Sequence, residues 1–181
     1  MLFAVIEKKF TGDLSLSMTI CKPNDIKLHI SSGEKLLGLD IGKKTIGLAL
    51  SDASLKIASP VKILYRKKFT PDMAHLLEFA DSQSVGGLVL GWPVNMDGSP
   101  GPRCDSVRDF AHALMKIRDI PIVFQDERLS TQAVETAMLA ADMTRAKRTE
   151  RRDALAACWI LQSFLDYLQG HHITADTQTA P

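Results

Sequence analysis

Apolar and polar positions first sort themselves at residue 35, where "KLLGLDI" and "TIGLALS" form two apolar runs around "GKK". Runs of this length on either side of a glycine-containing turn predict a β-hairpin over residues 35–51, with Gly42 allowing the turn. "KIASPVKILYRK" predicts a third strand. Pro60 puts it at a sheet edge or a bulge, because proline donates no ladder hydrogen bond. The spacing then turns helical. Thr70 and Pro71 supply an N-cap and first-turn pair for a helix through "DMAHLLEFADSQ". "GGLVLGWP" predicts a short buried strand ended by Gly91 and Pro93, and "VNMDGSPGPR" a loop. "CDSVRDFAHALMKIR" predicts an amphipathic helix and "IPIVFQ" another buried strand. "STQAVETAMLAAD" and "RDALAACWILQSFLDYL" predict two more helices.

The order β-β-β-α-β-α-β-α-α predicts an α/β fold. Three strands form an antiparallel meander, and crossovers add parallel strands to give a five-stranded mixed sheet flanked by helices. Residues 35–169 make one domain. Residues 1–34 are broken by "KPND" and "SSGE" and read as an extension whose order the pattern leaves open, with Met18 as a possible second start. Residues 170–181 read as a disordered tail.

Composition narrows the classes. The chain has 181 residues, 45% hydrophobic and 24% charged, as in an ordinary globular domain. The net charge of +1 gives no global attraction to nucleic acid, so any basic surface is local. Cys21, Cys104 and Cys158 are too far apart for metal-ligand spacing and read as reduced thiols. The apolar start "MLFAV" is too short for a secretory or membrane segment, which predicts a cytoplasmic protein with no membrane partner.

One acid stands out. Asp40 lies inside the first apolar run, two residues before Gly42, where an unpartnered carboxylate is costly. The alternatives are a bound cation and a local partner such as Lys43 or a helix N-terminus. "FQDERLST" sets Asp126, Glu127 and Arg128 at the end of a buried strand, where ligands collect in open α/β sheets. Alternation puts Asp126 and Glu127 on opposite sides, and a plain Asp126–Arg128 surface pair is the competing reading. Ser130 or Thr131 reads as an N-cap. Asp153 falls at the predicted start of the last helix, where the helix dipole alone would favour an acid. Ala154, Ala156 and Ala157 would let that helix approach the sheet. "RAKRTERRD" carries Arg145, Lys147, Arg148, Arg151 and Arg152, either a solvated face or a phosphate clamp. Asn95, Gly98 and Ser99 offer donors to nucleic acid or simply make a turn. Trp92 reads as a core indole before a base-stacking one.

"GLDIGKKTIGLALSD", "LVLGWPVNMDGSPGPR", "DERLSTQAVE" and "RRDALAACWILQSFLDYL" together resemble the YqgF/RuvX family, over residues 36 to about 169. The resemblance implies a ribonuclease H-like fold and a metal-dependent endonuclease that matures the 5′ end of pre-16S ribosomal RNA. A Holliday-junction DNA resolvase and a non-catalytic nucleic-acid-binding module of the same fold are the alternatives. Such chemistry uses two Mg²⁺ or Mn²⁺ ions about 4 Å apart. The implied catalytic set is Asp40, Asp153 and a DER acid, Asp126 or Glu127, with Glu127 favoured and the metal ligands being Asp40, Glu127 and Asp153. Lys43, Asn95, Ser99, Arg128 and the basic run would hold nucleic acid. Gly42 would leave room for phosphate. The family pattern has Gly-Trp-Pro at the end of a strand where other ribonuclease H-like enzymes carry an acid, so the DER acid takes that place. The implied partners are pre-rRNA or branched DNA and ribosomal precursor particles, the chain being a monomer or weak homodimer. An actin-like ATP-binding protein also begins with an acid and glycines between strands, but needs two such domains.

Overall fold

The computed structural model describes residues 20–95, 97, 99–126 and 145–170, with 145–151 described by backbone alone. The helix expected over 130–142, the DER residues Glu127 and Arg128, Ser130, Thr131, Gly98, Met18 and the tail from 171 lie outside the described residues.

The sheet order is β3-β2-β1-β4-β5. Its strands are β1 (Lys35–Ile41), β2 (Thr45–Ser51), β3 (Ala58–Tyr65), β4 (Val85–Trp92) and β5 (Ile122–Asp126). β1–β2 and β2–β3 pair antiparallel, while β1–β4 and β4–β5 pair parallel. This is the ribonuclease H-like arrangement. β3 is an edge strand, and the register slips between Leu48↔Lys62 and Ala49↔Pro60, leaving Val61 as the extra residue of a bulge. Pro60 therefore satisfies both halves of its expectation.

The described residues include the helices α1 (Ile26–His29), α2 (Phe69–Ser82), α3 (Pro102–Met115) and α4 (Arg145–Leu168). α2 begins one residue ahead of Thr70, and no side chain caps it. Phe69 draws the start back by packing edge-on against Phe110 at 5.8 Å, and Asp72 accepts the Lys67 N–H at 2.8 Å. α4 differs more. It starts at Arg145, so Asp153 sits in its third turn and the basic run is helical. The dipole argument for Asp153 fails there, since the effect fades within the first turn.

Alternation divides the sheet into two faces. Leu37, Leu39, Ile46, Leu48, Leu88, Leu90 and Ile122 meet α2 and α3. Leu36, Ala49, Val89 and Val123 meet α4 through Ala157, Ile160, Leu161, Phe164 and Leu165. Residues 20–34 pack onto this frame as well. Ile20 bridges Ile122, the Cys21 N–H donates to the Ile122 carbonyl at 2.8 Å, and Ile26 is fully buried. Strand periodicity is blind to so short a segment, which is why the pattern begins at 35. None of the three cysteines forms a disulfide. Among the described residues no helix is long and apolar enough to cross a membrane.

Candidate active site

The site is built from glycines upward. Asp40 is the penultimate residue of β1 and pairs across the hairpin with Gly47 of β2. A Cβ on Gly47 would fall inside the Asp153 carbonyl group, so the α4 backbone rests directly on the strand. Gly38, two residues before Asp40 on the same face, does the same further along. A Cβ there would lie 2.7 Å from Leu161 Cβ and 2.9 Å from the Ala157 carbonyl oxygen. Asp153, Ala157 and Leu161 follow four-residue helical spacing, so one stripe of α4 lies over both glycines.

This seating brings Asp153 to Asp40. Thr45, on the Gly47 face of β2, donates from Oγ1 to Asp153 Oδ2 at 2.6 Å. Burial, and then the charge of Asp153, push the Asp40 carboxyl up from 3.8 to about 6, against the pull of Arg103 and Arg152. No hydrogen bond or ion pair reaches the Asp40 carboxylate among the described residues. Lys43 is exposed at the hairpin tip and forms no ion pair with it. A local partner therefore does not account for Asp40. Gly42 is tied into the turn, its N–H donating to the Thr45 carbonyl at 2.9 Å, and a Cβ there would meet that same oxygen at 3.0 Å.

The remaining candidates fall into place unevenly. Asp126 ends β5 opposite Trp92 and is exposed. It alternates in step with Ile122 and Phe124, which belong to the α2/α3 core, so it occupies the sheet face away from Asp40. Asn95 Nδ2 donates to Ser99 Oγ at 2.9 Å, and Ser99 donates from both N and Oγ to Asp97 Oδ1, holding that carboxyl below its usual range. Their side chains hold the loop together and remain exposed. Trp92 is half-buried against Phe124, centroids 4.6 Å apart, which fits a core indole. Arg152 is exposed, while Arg145, Lys147, Arg148 and Arg151 are placed only as positions on α4. Among the described residues no group of three metal-ligating side chains forms: two carboxylates converge.

Thr45, Gly47 and Arg103 are site residues that the pattern did not single out. Gly47 had a signal, a glycine inside an apolar strand marking close backbone approach. Thr45 and Arg103 carry no local signal, because each matters only through a residue distant in sequence.

A ribonuclease H-like sheet with acids converging at the end of its first strand defines the class, that of the ribonuclease H-like nucleases. The family described as "RuvX: Holliday junction resolvase" matches residues 34–167. A Paramagnetospirillum magneticum protein named "Putative pre-16S rRNA nuclease" is 53% identical over 153 residues, covering 84% of this chain and 99% of the relative. A Bartonella quintana protein of the same name is 43% identical over 155 residues, covering 86% and 98%. Among solved structures, T. thermophilus RuvC in complex with a Holliday junction substrate aligns with a TM-score of 0.48 at 16% identity, over 76% of this chain and 96% of that one. The chain belongs to the RuvX (YqgF) family of nucleases.

Proposed function

We propose that the chain is a divalent-metal-dependent endonuclease that acts on structured RNA in the cytoplasm, trimming the 5′ end of pre-16S rRNA in precursor ribosomal particles. The convergence of Asp40 and Asp153 beneath a helix seated on Gly47 carries this reading. Relatives 43% to 53% identical over most of their length bear the pre-16S rRNA nuclease name, which supports the substrate.

The donor set fits Mg²⁺ or Mn²⁺. Two carboxylates lie near enough for the charge of one to raise the other, which burial also raises, and hard oxygens suit these cations. Asp40 and Asp153 would hold the metal. Glu127, the acid next after Asp126 in the sequence, would be the third ligand. When bound, a metal pair supplies an activated water and stabilises the attacking and leaving oxygens of an in-line displacement. The chain's own part is orientation: Thr45 fixes one Asp153 oxygen, and Gly47 lets the α4 backbone that carries Asp153 rest on the strand. Arg103 and Arg152 bring positive charge to the Asp40 end of the sheet from α3 and α4, to draw in a phosphate. Arg128 and the cations Arg145, Lys147, Arg148 and Arg151 are the further candidates for holding a phosphate backbone by their charge.

The test is incubation of the purified protein with a 5′-extended 16S precursor RNA and with a four-way DNA junction, each in Mg²⁺, Mn²⁺ or EDTA. RNA cleavage in metal alone is the expected result. Junction cleavage with intact RNA would move the substrate to branched DNA, as the family's description favours. No cleavage of either would overturn the nuclease reading.

A further inference from the structure

The hairpin tip and the end of β3 form a surface that the catalytic reading does not use. Thr45 pairs with Tyr65 in the β2–β3 register, so the residue that holds Asp153 has Tyr65 as its lateral neighbour. Both lie on the α4 face, because Lys62 reaches the α2 ring of Phe79 and Leu64 joins the α2/α3 core, leaving Tyr65 to the opposite side. Tyr65 is 66% exposed. Next to it the chain runs Arg66, Lys67, Lys68, and across from it the hairpin tip carries Lys43 and Lys44.

Arg66 fastens these two segments together. Its N–H donates to the Lys44 carbonyl at 2.9 Å, and its Nη1 donates to the Gly42 carbonyl at 2.7 Å. The four lysines around it are exposed. The ion pairs among the described residues, Arg108–Asp105 and Arg118–Asp81, lie elsewhere and take none of them. Asp72, the acid turned toward this segment among the described residues, is buried and already accepts the Lys67 N–H at 2.8 Å. Four exposed lysines on the two segments that Arg66 ties together, next to an exposed aromatic ring, match a nucleic-acid strand: phosphates on the lysines, a base on the ring.

We propose that Lys43, Lys44, Tyr65, Lys67 and Lys68 form a shelf that holds the substrate strand beside the scissile phosphate. This rests on the nuclease reading for its substrate but not for its binding. Strands lie about 4.8 Å apart, so β3 stands about 10 Å from β1. The shelf thus engages the strand close beside the phosphate at Asp40. The shelf therefore sets which bond is presented, while the acids cut it.

The experiment measures binding without turnover. A fluorescein-labelled RNA hairpin with a single-stranded 5′ flank is titrated in EDTA at several salt concentrations, followed by anisotropy. The full chain is compared with Lys67→Ala/Lys68→Ala, Lys43→Ala/Lys44→Ala, Tyr65→Ala, Tyr65→Phe and, at the far end of α3, Lys116→Ala. Arg66 is left intact because its bonds hold the clamp. Each double variant is expected to weaken binding about 10-fold and to flatten the salt slope by roughly 0.7 for each single-strand phosphate that is no longer neutralised. Tyr65→Ala is expected to weaken binding without changing the slope, and Tyr65→Phe to restore it. Lys116→Ala should bind as the parent does. If both double variants keep the parent's slope and affinity, the shelf is overturned while the nuclease reading stands. RNA binding that shows the expected slopes without cleavage in metal would uphold the shelf and overturn the nuclease reading.

Discussion

The two faces of the sheet are built to opposite rules. On the α2/α3 side, leucines and isoleucines from the strands interlock with leucines, methionines and a phenylalanine from the helices. On the α4 side the strands offer Gly38, Gly47 and Ala49 near the Asp40 end, and the helix answers with Ala154 and Ala157. Large side chains hold two layers about 10 Å apart and tolerate small shifts by repacking. Backbone against backbone tolerates almost none. The first face stabilises the fold, and the second fixes where Asp153 meets Asp40. Ser51 extends the contrast: on the α4 face it is buried, accepts the Leu36 N–H at 2.9 Å and donates to the Asp52 carbonyl at the same distance.

The largest effect should come from the acid itself. Asp40→Asn should lower cleavage by at least about 100-fold, the scale of losing one oriented electrostatic group at a reaction centre. Its stability should move the other way. The Asp40 pKa is raised to about 6, so the folded state holds its proton more tightly than the unfolded chain does. Ionising Asp40 therefore costs stability fully above pH 6, progressively less toward pH 4, and nothing below the unfolded value. The variant should be more stable by about 3 kcal/mol at pH 7.5, with the gap closing near pH 4. Thermal melts across that range check the sign. A variant less stable than the parent at pH 7.5, by a margin that closes toward acid pH, would mean that Asp40 is held by a cation of the protein.

Two substitutions then set the faces against each other. Gly47→Ala drives a methyl into the Asp153 carbonyl, and relief requires α4 to lift from β2. Overpacking of this kind costs about 1–3 kcal/mol or more, and here cleavage should fall with stability because the helix carries the acid. Leu76→Ala empties a fully buried site under α2 at a cost of about 2–5 kcal/mol. Its cleavage rate per folded molecule should stay near the parent's. Denaturant melts with active-site-normalised rates separate the two. Equal loss of kcat in both would erase the distinction between the faces.

Strand order was legible because the apolar runs are short, bounded by turn formers and arranged to force a meander before the crossovers. Pro60 even announced both the edge and the bulge. Asp40 was legible as a charge in an apolar run. Asp153 was found through the family motif, and the competing dipole explanation fell because the basic run, with no apolar stripe to reveal it, adds two more turns of helix. Thr45 was missed because its partner lies 108 residues away, and no local pattern encodes such a bond. Residues 20–34 were missed for the same reason: Ile26 is buried by tertiary packing, without periodicity of its own. Asp126 was one of two open choices, and only the neighbouring core residues on β5 decide its side.

The smallest effect should be the most specific. Thr45→Val keeps the shape of the side chain and removes the hydroxyl that donates to Asp153 Oδ2. The carboxylate then loses a charge-assisted hydrogen bond and gains freedom to rotate, while Gly47 still seats the helix. Groups that orient a metal-binding carboxylate typically change metal affinity or activity about 10–100-fold. The expected result lies at the lower end, because Thr45 holds one oxygen of one acid. The half-saturating Mn²⁺ concentration should rise about 10-fold, both in cleavage and in the Mn²⁺-dependent increase in Tm, whereas kcat at saturating metal should change much less. Thr45→Ser should recover both readouts, since it restores the donor. If Thr45→Val lowers Tm equally with and without Mn²⁺ and leaves metal dependence unchanged, Thr45 merely packs, and the α4 face positions Asp153 through its glycines alone.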